Sequence, residues 1–244
     1  MGQTYSIGTI LGIPVRAHAT LLLMLPVFAM SFAPTWGLQG WIWGGLGAAG
    51  LFGSVALHEI GHSVVARSKG ARIVEILLLP IGGMARLERM PGRPGDEIQT
   101  ALAGPATSLA LGLLGTVLAG PAGAANGYLG LLLGELGRIN FVLAAFNMIP
   151  SFPMDGGRVL RAALVPRLGR LRATRLAAGV GRGLAWVFGI WAIMPAFFGG
   201  RANLMLLLIA FFVYQSAGEE ARQAEAEAAW SGNVGWRDWR GDGR

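Results

Sequence analysis

Residues 41–66 read WIWGGLGAAGLFGSVALHEIGHSVVA, a nearly unbroken apolar run with two histidines and a carboxylate in its second half. A spanning helix needs about 17–25 predominantly apolar residues, and this run supplies them. A charge at membrane depth costs on the order of a few kcal/mol, so His58, Glu59 and His62 need a reason to be there. Their order is H-E-x-x-H. On a helix, residues four apart stand one turn apart on the same face, so His58 and His62 can ligate one metal ion. Glu59, beside the first ligand, can reach a water at that ion.

The rest of the chain has the same character. Of 244 residues, 53% are hydrophobic and 14% charged, against roughly 25% charged in a soluble domain. Further apolar segments lie near 19–33, 98–120, 131–150, 183–198 and 202–216. The expected fold is therefore an all-α integral membrane protein with about six transmembrane helices. Glu135 and Arg138 open the 131–150 segment and are assigned to the interface, where long side chains snorkel. The 39 glycines suit helices whose backbones approach closely.

Positive charge sets the orientation. Arg16 precedes the first segment. Lys69, Arg72, Arg86, Arg89 and Arg93 follow the second, and Arg158, Arg161, Arg167, Arg170, Arg172 and Arg175 follow the fourth. With six crossings all three places share one side, and the positive-inside rule makes that side the cytoplasm. The expectation is a multi-pass protein of the cell membrane with both termini cytoplasmic. The net charge of +7 is absorbed by this orientation, and no nucleic-acid partner is expected.

A catalytic zinc takes three protein ligands and keeps one position open. The chain has no cysteine and only three histidines, His18, His58 and His62, so the third ligand is a carboxylate or His18. Asp155 is the strongest candidate, in Asn147-Met148-Ile149-Pro150-Ser151-Phe152-Pro153-Met154-Asp155-Gly156-Gly157. Pro150 and Pro153 break the fourth helix. Broken backbone at membrane depth survives only where it is buried in protein or lines a wet cavity, which can turn Asp155 back into the bundle. His18 is read as a helix-terminal or supporting residue rather than a ligand.

These two motifs, His58–His62 and 147–156, together resemble the hallmarks of the site-2 protease family of intramembrane zinc metalloproteases, H-E-x-x-H followed by N-x-x-P-x-x-P-[LM]-D-G. The resemblance implies one catalytic zinc ion held by His58, His62 and Asp155. It implies Glu59 as general acid/base toward a zinc-bound water and Asn147 as a group that stabilises the reacting carbonyl. It also implies regulated intramembrane proteolysis, with membrane-spanning proteins as substrates and a membrane regulator as a possible partner beside the lipid bilayer. The stretch after the second helix, with Gly82, Gly83 and Met84, is similar to the family's Gly-Gly segment, a short β-strand or re-entrant loop near the active site. An exposed strand edge there can pair with an extended substrate. Ala103-Gly104-Pro105 is read as helix packing.

The expected division is a transmembrane metalloprotease domain over 1–217 and a cytoplasmic tail over 218–244, whose start reads as a solvated Glu/Ala helix and whose Trp236 and Trp239 can rest on a membrane surface. The loop over 69–96 is too short for a PDZ insertion and the tail too short for paired nucleotide-sensing domains, so the chain reads as a minimal core. Three other readings stay open: a membrane metal transporter that would tolerate Glu59→Gln, a catalytically silent scaffold, and a prenyl-protein peptidase with a later Glu as third ligand.

Overall fold

A computed structural model describes residues 3–30, 33–80, 82–87 and 93–233. The chain divides into two compact units, Met1–Asn147 and Met148–Arg244.

The first unit opens with a feature absent from the sequence reading, a hairpin of β1 (Thr4–Ile10) and β2 (Ile13–His18). Leu11 and Gly12 form its turn, both at positive φ (52° and 79°), as a two-residue turn matching the strand twist requires. Arg67 donates to the Leu11 carbonyl at 2.8 Å and pins the turn. Helices α1 (Ala19–Met30) and α2 (Ala33–Ser68) follow, then β3 (Ile73–Leu79) and β4 (Gly82–Leu87). The strand order is β1-β2-β3-β4, with β2 and β3 parallel and the outer pairs antiparallel. The expected strand after the second helix is thus the edge of a four-stranded sheet. The parallel β2–β3 pairing requires a crossover, which the α1–α2 pair provides. Helices α3 (Pro94–Ala125) and α4 (Gly127–Asn147) complete the unit.

Helix α2 is packed on two sides. Its Phe52, Ala56 and Ile60 recur every four residues and bury against Ile13, Val15, Ala17, Ile76 and Leu78 of the sheet. Ser54, His58 and His62 are offset by two positions, roughly 200° around the helix, and face α3 and α4.

The second unit contains the connection over 148–154, then α5 (Asp155–Leu168), α6 (Arg170–Phe197) and α7 (Leu204–Asn233). Helices α6 and α7 meet through small residues: Ala177, Ala178, Ala185, Ala210 and Ala217 are all buried. Trp236 and Trp239 lie outside the described residues.

Where six crossings were expected, five helical stretches among the described residues are long and apolar enough to cross a membrane: Gln39–Ser68, Pro94–Ala125, Gly127–Asn147, Arg170–Phe197 and Leu204–Trp230. Within the predicted segment 19–33, α1 covers Ala19–Met30, with Pro26 inside it. At 1.5 Å per residue α1 spans about 18 Å, short of the ~30 Å hydrocarbon core. The spans carry their large apolar residues outward, as Leu113, Val117, Trp186, Ile190, Leu208 and Phe211 all do. Such a surface would be an association face in water and is ordinary in lipid.

Candidate metal centre

His58 and His62 are both buried, and their Nε2 atoms face each other at 3.1 Å. Two imidazole nitrogens bound to one tetrahedral zinc at 2.0–2.1 Å lie roughly 3.3 Å apart, so the pair is spaced for a shared ion. The far side of each ring is tied to α3. His62 Nδ1 lies 2.7 Å from the Thr100 carbonyl oxygen, which only accepts, so His62 donates from Nδ1 and its Nε2 presents a lone pair. His58 Nδ1 lies 2.8 Å from Ser108 Oγ, which can accept the same way. Metal-bound histidines are commonly oriented by such bonds from their second nitrogen.

The space between the rings is kept by a glycine. A Cβ on Gly104 would fall 2.2 Å from His62 Nε2 and 2.6 Å from His58 Nε2. On α2, a Cβ on Gly61 would fall 2.3 Å from Thr107 Oγ1 and 2.9 Å from the Ala103 carbonyl oxygen. Ala103-Gly104-Pro105 therefore does more than pack: Gly104 leaves the cradle a small ion would fill. Thr100, Gly104 and Ser108, four residues apart on one face of α3, form the supporting set that sequence reasoning missed. The available signal was Gly104 and Ser108 four residues apart in an apolar run, whereas Thr100 serves through its backbone carbonyl, which no residue type marks.

Glu59 is half-buried on the flank of α2. Strand β4 lies directly against it, since a Cβ on Gly83 would come 2.5 Å from Glu59 Cγ and 3.2 Å from Val55 Cγ1. The structure thus brings together His58, Glu59, His62 and Gly83. Gly82 and Met84 flank Gly83 on the strand, and Met84 is exposed. One turn before His58, Ser54 accepts from Asn140 of α4 at 2.9 Å and extends the polar face. Asn147 closes α4, with its amide nitrogen donating to the Leu143 carbonyl at 3.0 Å. His18 sits where β2 meets α1, its Nδ1 2.7 Å from Thr20 Oγ1, a helix-terminal contact as expected.

In the second unit Asp155 is the first residue of α5 and is buried. A carboxylate at a helix N-terminus is favoured by the helix dipole, and Arg158 Nη1 lies 3.8 Å from its Oδ1. The connection before it is folded tightly: Ser151 N donates to Ile149 O at 2.7 Å and Met154 N to Ser151 O at 2.9 Å. Only glycine fits behind it, since a Cβ on Gly156 would fall 2.4 Å from the Met148 and Ile149 carbonyl oxygens. On Gly157 it would fall 2.6 Å from Ser151 C.

A buried H-E-x-x-H pair on an apolar helix, with both outer nitrogens tied down and the inner ones facing each other, could hold a metal ion, and five long apolar helices suit a multi-pass membrane protein. The model of peptidase family M50 matches residues 46–122 and 117–188, and the chain belongs to that family. A zinc metalloprotease of Methanocaldococcus jannaschii is 36% identical over 93% of this chain and 63% of its own length. Stage IV sporulation protein FB of Bacillus subtilis is 27% identical over 69% of the chain and 56% of its own length. The chain thus spans less than two thirds of the length of these curated relatives. The solved site-2 protease from Methanocaldococcus jannaschii is 33% identical, with a TM-score of 0.63, over 90% of this chain and 95% of that one.

Proposed function

We propose that the protein is an intramembrane zinc metalloendopeptidase of site-2 type, which hydrolyses peptide bonds within transmembrane segments of membrane-anchored proteins. The observation that carries this is the facing pair of His58 and His62 Nε2 atoms, 3.1 Å apart at the Gly104 gap. His58, His62 and Asp155 hold one zinc ion. Bound there, zinc supplies Lewis acidity toward the scissile carbonyl and acidifies water.

The chain's own groups do the rest. Glu59 takes the proton of the attacking water and passes it to the leaving amide nitrogen. Asn147 donates to the developing oxyanion. Gly82, Gly83 and Met84 bind the substrate as an extended strand along β4, beside Glu59. A substrate helix must unwind to reach that edge, because helical peptide bonds are shielded.

The protein sits in the cell membrane with both termini cytoplasmic, and α1 makes the first and shortest of six crossings. The protease domain comprises residues 1–217, and residues 218–244 are a cytoplasmic tail. A membrane regulator is a further partner.

The test is co-expression of wild type and Glu59→Gln with tagged single-span membrane proteins. A cleavage product appears with wild type alone and vanishes with a zinc chelator. Cleavage that persists in Glu59→Gln refutes the proposal.

A further inference from the structure

The second unit holds an ion pair whose burial sets it apart from a solvated tail. Arg161, on α5 nearly two turns beyond Asp155, is only 4% exposed. Its Nη1 donates to Glu220 Oε1, on the part of α7 beyond the apolar run. Its guanidinium carbon lies 5.2 Å from the centre of the Phe152 ring, the stacking geometry of a cation over an aromatic face. Phe152 is itself buried among Leu160, Ala177, Ala178, Ala217 and Ala221. Glu220, Arg161 and Phe152 therefore form one chain of contacts from α7 to the connection that delivers Asp155. The other ion pairs of α7 differ: Arg175–Glu225 and Arg222–Glu219 are exposed on both partners.

We propose that Glu220 is a positioning residue for Asp155. A guanidinium this buried takes its place from the carboxylate it pairs with, and neutralising that carboxylate weakens the hold. With Glu220 in place, Arg161 stays over Phe152. Phe152 in turn holds a connection with no slack, because Gly156 and Gly157 already touch its backbone and a Cβ on Gly181 of α6 would fall 2.4 Å from Ser151 Oγ. A displacement of Phe152 is passed over three residues to the first residue of α5. Metal sites tolerate only about 0.2 Å in ligand distance, so a small shift of the Asp155 carboxylate registers as lost zinc affinity. The inference rests on Asp155 being a zinc ligand, and deepens that reading by making the start of the tail part of the metal site.

The experiment uses the full chain in detergent micelles, stripped of metal and titrated with zinc against a chromophoric chelator. Glu220→Gln moves the midpoint about tenfold toward weaker binding while stoichiometry is retained, the low end of the loss for groups that orient a ligand. Glu220→Asp recovers most of it. Glu225→Gln, an equal charge change on the same helix, moves nothing. A folding defect lowers the stoichiometry and leaves the midpoint, so the two are separable. If Glu220→Gln does not fold, Phe152→Leu, which keeps both charges, must produce the midpoint shift. An unchanged midpoint in whichever of the two folds overturns the inference. Asp155→Asn separates the layers. If it leaves the midpoint unchanged, the ligand reading falls and takes the inference with it. If it weakens binding while Glu220→Gln does not, the inference alone falls.

Discussion

Gly104→Ala is the smallest change that tests the metal centre. The added methyl would lie 2.2 Å from His62 Nε2, 2.5 Å from His62 Cε1 and 2.6 Å from His58 Nε2, at least about 1 Å inside ordinary contact. The rings cannot swing aside freely, because their Nδ1 atoms are bound to Ser108 Oγ at 2.8 Å and the Thr100 carbonyl at 2.7 Å. Backing α3 away by a similar distance stretches those same two bonds beyond hydrogen-bonding range. Either route leaves buried polar groups unpaired, at about 1–3 kcal/mol each. A combined cost of about 2–4 kcal/mol corresponds to roughly 30- to 1,000-fold in zinc affinity. Chelator competition on the purified protein reads that loss. Gly120→Ala on the same helix is the control, since a Cβ there meets nothing within 4 Å. It is neutral or stabilising by up to about 1 kcal/mol. A Gly104→Ala midpoint within about threefold of wild type would refute the geometry argued here, because no ion could then occupy the gap between the two rings.

Ser108→Ala strips His58 Nδ1 of its partner. Zinc affinity falls about 10- to 100-fold in the same titration, the usual loss for such a support. Glu59→Gln keeps the zinc midpoint of wild type but lowers cleavage of a reconstituted single-span substrate by about 10²–10⁴-fold, the share of a general base. Gly83→Ala places a methyl 2.5 Å from Glu59 Cγ. Cleavage drops on the order of 10²-fold through misplacement of the base, with zinc binding unaltered.

The candidate site was legible where burial makes residues conspicuous. His58, Glu59 and His62 stand out in residues 41–66 because nothing else in that run is titratable, and Asp155 because two prolines and two glycines surround it. Ser108 was hidden by an ambiguity of hydroxyls in apolar helices, which can bond their own helix four residues back. Thr107 does so to Ala103 and Thr116 to Gly112. Ser108 instead turns to His58, and no local pattern separates the two behaviours. The N-terminal strands escaped for a different reason. The alternation of Ile13, Val15 and Ala17 is short and carries Pro14 and Arg16 between its apolar positions. It gains meaning only from β3, which is distant in sequence but pairs Val15 with Ile76.

The sheet and the metal centre are coupled through the geometry of a single helix. On α2 the sheet-facing row is Phe52, Ala56 and Ile60, and the metal-facing row is Ser54, His58 and His62. At about 100° per residue, Val55 and Glu59 fall on the flank between those rows. That is where β4 lies, with Gly83 against both side chains. The residue after the first histidine therefore stands beside the histidine row on one side and the edge strand on the other, a flank it shares with Val55 one turn earlier. A carboxylate one place further along would point to the sheet core at Ile60, and one placed before His58 would take the outward position of Leu57, which is 40% exposed. The spacing H-E-x-x-H thus places Glu59 at the seam between the two histidines and an open strand edge, where the proposed hydrolysis of an extended peptide needs its base.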